Sequence, residues 1–231
     1  MTAKAQSFSS VMLICMLLLG GCVPPPKEPK PTQTAIQQAE RAAAEQERKT
    51  LLRQINRSFE DPDAHYRLGQ LYHADGQWAE AEYHYKAAMT FDPVHWPAQA
   101  ATVRLLWDSG DTAKARTTAD IYMNQVAASA ERSLELGKEF AEQKLDDYAL
   151  ACYQQALRLD PQSAEAYKQL GYYYLGQDDE VRAKQYLLRS WELDRYQSDV
   201  AFELGLLDVE IKVQRRPVRG GTTGQPDQPA Q

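Results

Sequence analysis

A period of 34 residues runs through this chain and narrows it to one kind of architecture. Gly69, Gly137, Gly171 and Gly205 fall on it, as do Ala81, Ala115, Ala149 and Ala183, while Gly76 and Gly110 stand one period apart. No insertion breaks the register, so successive frames open at Pro62, Trp96, Ala130, Ala164 and Ser198. A unit this short cannot bury an apolar face by itself. Its neighbours must do so, and the result is a stack in which each unit touches the next.

Each recurring position has a physical role. Glycine inside a helix costs about 1 kcal/mol relative to alanine, so Gly69, Gly137, Gly171 and Gly205 need compensation. The expected compensation is a close approach of two helix backbones, with Ala81, Ala115, Ala149 and Ala183 as the small residues across the contact. Tyr72, Tyr85, Phe140, Tyr153 and Tyr174 fall at helical spacing and should fill the space around that crossing. Gly76 and Gly110 suit left-handed helix ends. Pro93 and Pro161 are expected to stop the second helix of their units, and Arg195 stands where the fourth frame would place its proline.

Read in frame, the first unit carries His65, Leu68, Gly69, Tyr72, Ala81, Tyr85 and Pro93. The third carries Ser133, Leu136, Gly137, Phe140, Ala149, Tyr153 and Pro161, and the fourth Tyr167, Leu170, Gly171, Tyr174, Ala183 and Leu187. This resembles the tetratricopeptide repeat pattern W-x2-L-G-x2-Y, then A-x3-F, then P. The second unit has Thr102-Val103 in place of Leu-Gly and joins by register, through Leu106, Gly110 and Ala115. The resemblance implies an all-α fold, a superhelical solenoid of antiparallel helix pairs. Its repeats are expected at 62–95, 96–129, 130–163 and 164–197, behind an N-terminal helix over 33–59 whose Leu51, Leu52, Ile55 and Phe59 dock as a half-repeat. A capping helix is expected at 198–213, carrying Val200, Leu204, Leu207 and Ile211.

The other end of the chain resembles a bacterial lipoprotein leader. Lys4 precedes a nine-residue apolar run, Val11 to Leu19, and Leu19-Gly20-Gly21-Cys22 follows. Nine residues cannot span a bilayer core of about 30 Å, which needs about 20, so a signal peptide over 1–21 is favoured over a membrane helix. The resemblance implies cleavage before Cys22 and a covalent lipid there as the only attached group, with no other cofactor. Val23 after the cysteine, where aspartate would signal retention, implies an outer-membrane location facing the periplasm. Residues 22–32 hold five prolines and are expected to be an extended spacer. The tail 214–231 is rich in Gly, Pro, Gln and Arg, without an apolar period, and is expected to be disordered.

Composition removes several function classes. The formal net charge is −6, which argues against nucleic acid as a partner. Of three cysteines, Cys15 leaves with the leader and Cys22 takes the lipid, so Cys152 has no intrachain partner and is expected to pack. The sequence holds no G-x-S-x-G, H-E-x-x-H or phosphate-binding glycine loop, and His65, His73, His84 and His95 lack a short metal-ligand spacing. Asp146-Asp147 and Asp178-Asp179-Glu180 fall at turns, where they are expected to cap the following helix. Binding is the expected activity, with no enzymatic chemistry.

In tetratricopeptide proteins the first helix of each pair lines the concave face. Carried onto this chain, the inward positions are Tyr66, Gln70 and His73, then Arg104 and Trp107 with Ala100, Lys138 with Leu134, and Lys168 and Tyr172 with Leu175. Aromatic and long polar side chains in a groove suit a protein or peptide segment. Arg104, Lys138 and Lys168 are expected to attract an acidic one. The asparagines of a carboxylate clamp are absent. Among families built this way, the chain looks most like pilotin-type lipoproteins of type IV pili, which serve an outer-membrane secretin. Adaptors for cell-wall enzymes such as peptidoglycan hydrolases, and lipoproteins of other envelope assembly machines, are the alternative. A monomer is the expected oligomeric state.

Overall fold

The computed structural model describes residues 32–211, which hold ten helices and no strand. The leader, Cys22, all but Thr32 of the spacer, the tail and the last two positions of the expected capping helix lie outside the described residues. The chain divides into two compact parts, Met1–Ala43 and Ala44–Gln231. In the first, residues 32–43 open helix α1 (Gln33–Arg57), exposed throughout, with Thr32 Oγ1 accepting from the Ala35 amide.

The second part holds the remainder of α1 and four helix pairs. These are α2 (Pro62–Ala74) with α3 (Trp78–Phe91), α4 (Trp96–Asp108) with α5 (Thr112–Val126), α6 (Ala130–Glu142) with α7 (Asp146–Leu159), and α8 (Ala164–Gly176) with α9 (Glu180–Leu193). A single helix, α10 (Ser198–Leu206), follows and packs on α9. Helices α2, α4, α6, α8 and α10 open at Pro62, Trp96, Ala130, Ala164 and Ser198, one period apart. Partners within a pair pack together, and α3 meets α4, α5 meets α6 and α7 meets α8; the buried apolar residues form four clusters, the largest reaching from α4 to α8.

The glycines earn their place through a side chain as well as through the anticipated backbone approach, the Ala81 carbonyl oxygen and the Leu187 nitrogen lying 3.4 Å from Cβ positions built on Gly69 and Gly171. A Cβ built on Gly69 would lie 2.6 Å from the Tyr85 ring, one on Gly137 2.7 Å from the Tyr153 ring, and one on Gly171 2.5 Å from Leu187. The residue at the F of A-x3-F therefore lies directly against the glycine. Repeat 2 solves the same contact in reverse. Where its neighbours have Gly it has Val103, and where they have Tyr or Leu it has Ala119; both are fully buried. Large and small have been exchanged across one seam. Gly205 is the exception, with nothing within 4 Å of its Cβ position.

The turns inside each pair repeat as well. Gly76 and Gly110 are left-handed, with φ of 73° and 91°. Lys144 and Asp178 occupy the same turn in repeats 3 and 4 and are also left-handed, at 58° and 56°. A side chain there costs about 1–2 kcal/mol of backbone strain. Lys144→Gly and Asp178→Gly are each expected to raise unfolding free energy by about 0.5–1 kcal/mol, read as a higher urea midpoint; no gain in either would show that the turn is unstrained.

Helix stops rest on aspartate more than on proline. Asp92, Asp160 and Asp194 cap α3, α7 and α9, and their Oδ1 atoms accept from the amides of Val94, Gln162 and Tyr196 at 3.0, 3.0 and 2.9 Å. The side chain bends its own backbone into a turn. That is why α9 ends on schedule with Arg195 in the proline position. At the helix starts, Asp179 accepts from the Arg182 amide as anticipated, whereas α7 has Leu145 at its cap and uses Asp146 and Asp147 only as first-turn charges.

Both ends depart from the anticipated stripes. In α1 only Leu51 and Ile55 are buried, in a cluster with Ala64 and Leu68, while Leu52 faces solvent. Phe59 lies beyond the helix, its ring edge-on to His65 and Phe91. Helix α10 stops at Leu206, with Leu207, Val209 and Ile211 packed on the Leu187–Trp191–Val200–Leu204 cluster as non-helical chain. Phe202 and Leu206 are about two-thirds exposed, at 64% and 65%.

Candidate protein-binding groove

The first helices place the candidate residues. Gln70, His73 and Arg104 line a cavity of about 460 Å³ together with Trp78, Glu142 and Lys144. Arg104 and Trp107 line a second, of about 290 Å³, with Lys144, Tyr148, Tyr173 and Gln177. Tyr172 lines a third, of about 310 Å³, with Ala141, Lys144, Asp146, Tyr153 and Tyr173. Lys144, on its left-handed turn, borders all three. The cavities adjoin and form a groove along the side of the stack where α2, α4, α6 and α8 end.

The cations singled out from the sequence are already engaged. Arg104 donates to Asp108 through Nε and Nη2, each at 2.9 Å, and through Nη1 to the Gln143 carbonyl at 3.4 Å. His73 sits between Asp108, 3.1 Å from Nε2, and the Tyr85 hydroxyl, 3.3 Å from Nδ1. Lys138 pairs with Glu135 at 3.0 Å and Glu165 at 3.6 Å; Lys168 pairs with Glu165 at 2.7 Å and Asp199 at 3.4 Å. A ladder of alternating charge thus runs from α6 through α8 to α10, and the Tyr172 hydroxyl joins it by donating to Asp199 at 3.2 Å. Burial pushes the Glu165 carboxyl up, but hydrogen bonds from Lys168 and Gln169 outweigh it and hold the group below its ordinary range. These basic side chains tie one repeat to the next. An acidic segment drawn in by them would have to compete with these pairs.

The side chains on this side that meet no opposite charge at ion-pair distance, among the described residues, are of both signs: Lys144, which borders all three cavities, and two glutamates of α6. Glu139 and Glu142 meet no cation at ion-pair distance among the described residues. Burial first, then Glu142 and Glu135, push the Glu139 carboxyl up to about 7 against the pull of Lys138. Burial and the same pair, Glu139 and Glu142, push Tyr66 up to about 12, while its hydroxyl accepts from Gln70 Nε2 at 2.8 Å. The Tyr66 ring itself packs against Tyr85 and His95 and lines none of the three cavities. Sequence reading missed Glu139, Glu142 and Lys144 because it followed aromatic and basic residues; the glutamates' spacing on α6 was available but not their isolation from cations.

Elsewhere the candidates resolve into structure. Cys152 is 2% exposed and burial pushes its thiol up to about 12, so it packs as a small apolar residue. His65 and His84 are buried and meet through their Nδ1 atoms at 2.9 Å, and His65 Nε2 lies 2.9 Å from the Phe59 carbonyl. Among the described residues no group of His, Cys, Asp and Glu is arranged to hold a metal ion, and no helix is long and apolar enough to cross a membrane.

A tetratricopeptide repeat family matches residues 62–93, and a TPR repeat family matches 137–178. Those two stretches match tetratricopeptide repeats. The fold of the chain is an all-α solenoid of that class, and such repeats bind protein or peptide partners. A curated relative, protein O-mannosyl-transferase TMTC3 of Homo sapiens, is 27% identical over 153 residues, 66% of this chain; the chain spans 15% of that relative's length. Among solved structures, the thermophilic TPR protein TTC0263 of Thermus thermophilus is 17% identical with a TM-score of 0.43, covering 74% of this chain and 94% of that one. PilF of Pseudomonas aeruginosa is 25% identical with a TM-score of 0.38, covering 63% of this chain and 67% of that one.

Proposed function

We propose that this chain is a lipid-anchored scaffold of a bacterial envelope, held in the outer membrane through Cys22 and facing the periplasm, and that it binds an extended segment of a protein partner in the groove. The observation that carries the reading is the run of three adjoining cavities at the ends of the first helices, bordered by Trp107, Tyr172 and Tyr173. An extended strand fits such a run, with alternate side chains entering successive cavities. Rigid rings contribute contact area at low entropic cost. The ion ladder from Lys138 to Asp199 keeps the helices in register and so keeps the cavities at fixed spacing.

Within the envelope, the assignment is to pilus biogenesis or secretin assembly. It rests on the lipoprotein-type leader joined to a body made of little besides repeats. Cross-linking in intact cells, followed by capture from solubilised membranes and mass spectrometry, tests it. A secretin or pilus component is expected to be recovered with the chain, and Trp107→Ala with Tyr172→Ala is expected to reduce recovery about tenfold with the helical signal intact. Unchanged recovery removes the groove from the reading. Recovery of a peptidoglycan hydrolase instead replaces the pilus assignment with an adaptor for cell-wall enzymes.

A further inference from the structure

Helices α2, α6 and α8 all leave through one turn. Its left-handed residue, Gly76, Lys144 or Asp178, donates to the carbonyl three back, and the next residue donates to the carbonyl five back: Gln77 to Tyr72 at 2.9 Å, Leu145 to Phe140 at 2.8 Å and Asp179 to Tyr174 at 2.9 Å. The chain then runs back along the helix it has left and sets a side chain against that helix's glycine. Helix α10 ends in the same turn. Asp208, with φ of 57°, donates to the Gly205 carbonyl at 3.2 Å, and Val209 donates to the Leu204 carbonyl at 2.9 Å. In repeat 1 the returning ring, Tyr85, lies against both Gly69 and the Tyr66 ring, with centroids 6.0 Å apart. Phe202 and Gly205 hold the frame positions of Tyr66 and Gly69, and this face of α10 is open, with Phe202 exposed and nothing within 4 Å of the Gly205 Cβ position.

The chain beyond the turn points to what covers the face. Leu207, Val209 and Ile211 are half-buried on the Leu187–Trp191–Val200–Leu204 cluster, while Asp208 and Glu210 between them are exposed. That alternation is the period of extended chain, and its next inward position is Val213, at most about 7 Å of chain beyond Ile211. Charge agrees. From Ser198 to Ile211 the chain carries Asp199, Glu203, Asp208 and Glu210 and no lysine or arginine, whereas the next eight residues carry Lys212, Arg215, Arg216 and Arg219 and no acid. Asp199 pairs with Lys168 at 3.4 Å. No cation among the described residues, Lys184 and Arg195 included, lies at ion-pair distance from Glu203, Asp208 or Glu210. A tether of a few residues holds the basic segment beside these acids at about millimolar concentration or above, so modest contacts suffice to seat it.

We propose that residues 212–219 of this chain cover the open face of α10, with Val213 against Gly205 and Phe202 and the basic side chains beside Glu203, Asp208 and Glu210. The array is closed there by its own chain, without a second copy. The inference is independent of the groove.

Disulfide formation in the full-length chain, held in detergent, tests it. Gly205→Cys is tolerated, because its Cβ meets nothing. Together with Val213→Cys it is expected to form a disulfide in a glutathione buffer with an effective concentration at least about tenfold above that of Gly205→Cys with Val218→Cys, and to lose this advantage in concentrated urea; loop length alone separates the two pairs by only about twofold. Tryptic cleavage at Lys212 leaves linked peptides that mass spectrometry identifies. In chains without added cysteine, Val213→Asp is expected to speed hydrogen exchange of the amides of residues 204–207 about tenfold, while Val218→Asp leaves it unchanged. Equal disulfide yields for the two pairs in the folded protein overturn the proposal. So does a disulfide joining two chains, or protection of α10 that is lost on dilution, either of which assigns the face to a second copy.

Discussion

Gly137→Val is expected to destabilise the protein by about 3 kcal/mol or more. Its Cβ alone would lie 2.7 Å from the Tyr153 ring and 2.9 Å from the Cys152 Cβ, and the latter cannot move without its backbone. The modest gain in helix propensity over glycine does not offset that crowding. Tyr153→Ala, which empties the same seam, is expected to cost about 3–5 kcal/mol, as large-to-small changes of buried aromatics do. Repeat 2 says what the double variant should do. Val103 and Ala119 hold the equivalent positions, both buried in one cluster, so Gly137→Val with Tyr153→Ala rebuilds a combination the chain itself uses. The two changes are expected to be coupled by about 2–3 kcal/mol in urea unfolding followed by circular dichroism. Additive losses would show that the seam of repeat 3 does not tolerate the exchange and that repeat 2 packs for another reason.

Acidification from pH 6.5 to 4 is expected to remove on the order of 2 kcal/mol of stability through His84. Burial, then the neighbouring His65, hold the His84 pKa down to about 4, against 6.5 for an unconstrained imidazole. Between those values the unfolded chain binds more protons than the folded one, so stability rises with pH across that window and falls as the solution is acidified. The hydrogen bonds name the tautomers. The Phe59 carbonyl can only accept, so His65 Nε2 carries its proton; in neutral His65, Nδ1 then accepts from the His84 Nδ1–H. Glu139 acts in the opposite sense. Its carboxyl, at about 7 in the folded protein, favours the protonated form, so its contribution declines as pH rises from about 4.5 to 7. His84→Asn keeps an N–H for His65 and cannot titrate. Its unfolding midpoint is expected to vary less with pH between 4 and 6.5 than that of the parent chain, and parallel profiles would assign the acid sensitivity to another group.

The period made the helix pairs legible because small residues, rings and turn glycines each recur for a steric reason that their spacing reveals. What it could not show was which atoms meet. Glycine called for a nearby backbone, which is there, but the atoms that come nearest belong to a side chain, Tyr85, Tyr153 or Leu187. Thr102-Val103 looked like decay of the motif, yet with Ala119 it is a complementary exchange, visible only when the residue across the seam is known. Proline looked like the stop, although the aspartate beside it makes the hydrogen bond. In the groove, Gln70, His73, Arg104, Trp107 and Tyr172 could be placed by register, while the cross-helix pairing of Lys138 and Lys168 could not. A helical wheel shows the partners three residues back, Glu135 and Glu165, but not the cross-helix ones, Glu165 for Lys138 and Asp199 for Lys168.

Helix α10 begins where a fifth repeat would, and it carries Gly205 at the position where Gly69, Gly137 and Gly171 each receive a side chain. Among the described residues none occupies that notch, and Phe202 and Leu206 lie exposed on the same short helix. Among the described residues the array thereby has a polarity: one end is closed by the stub of α1, and the other presents the mating half of a joint. A helix bearing alanine and, four residues on, an aromatic has the shape to complete it, which makes α10 the natural point for lengthening the array by one more turn of its own design.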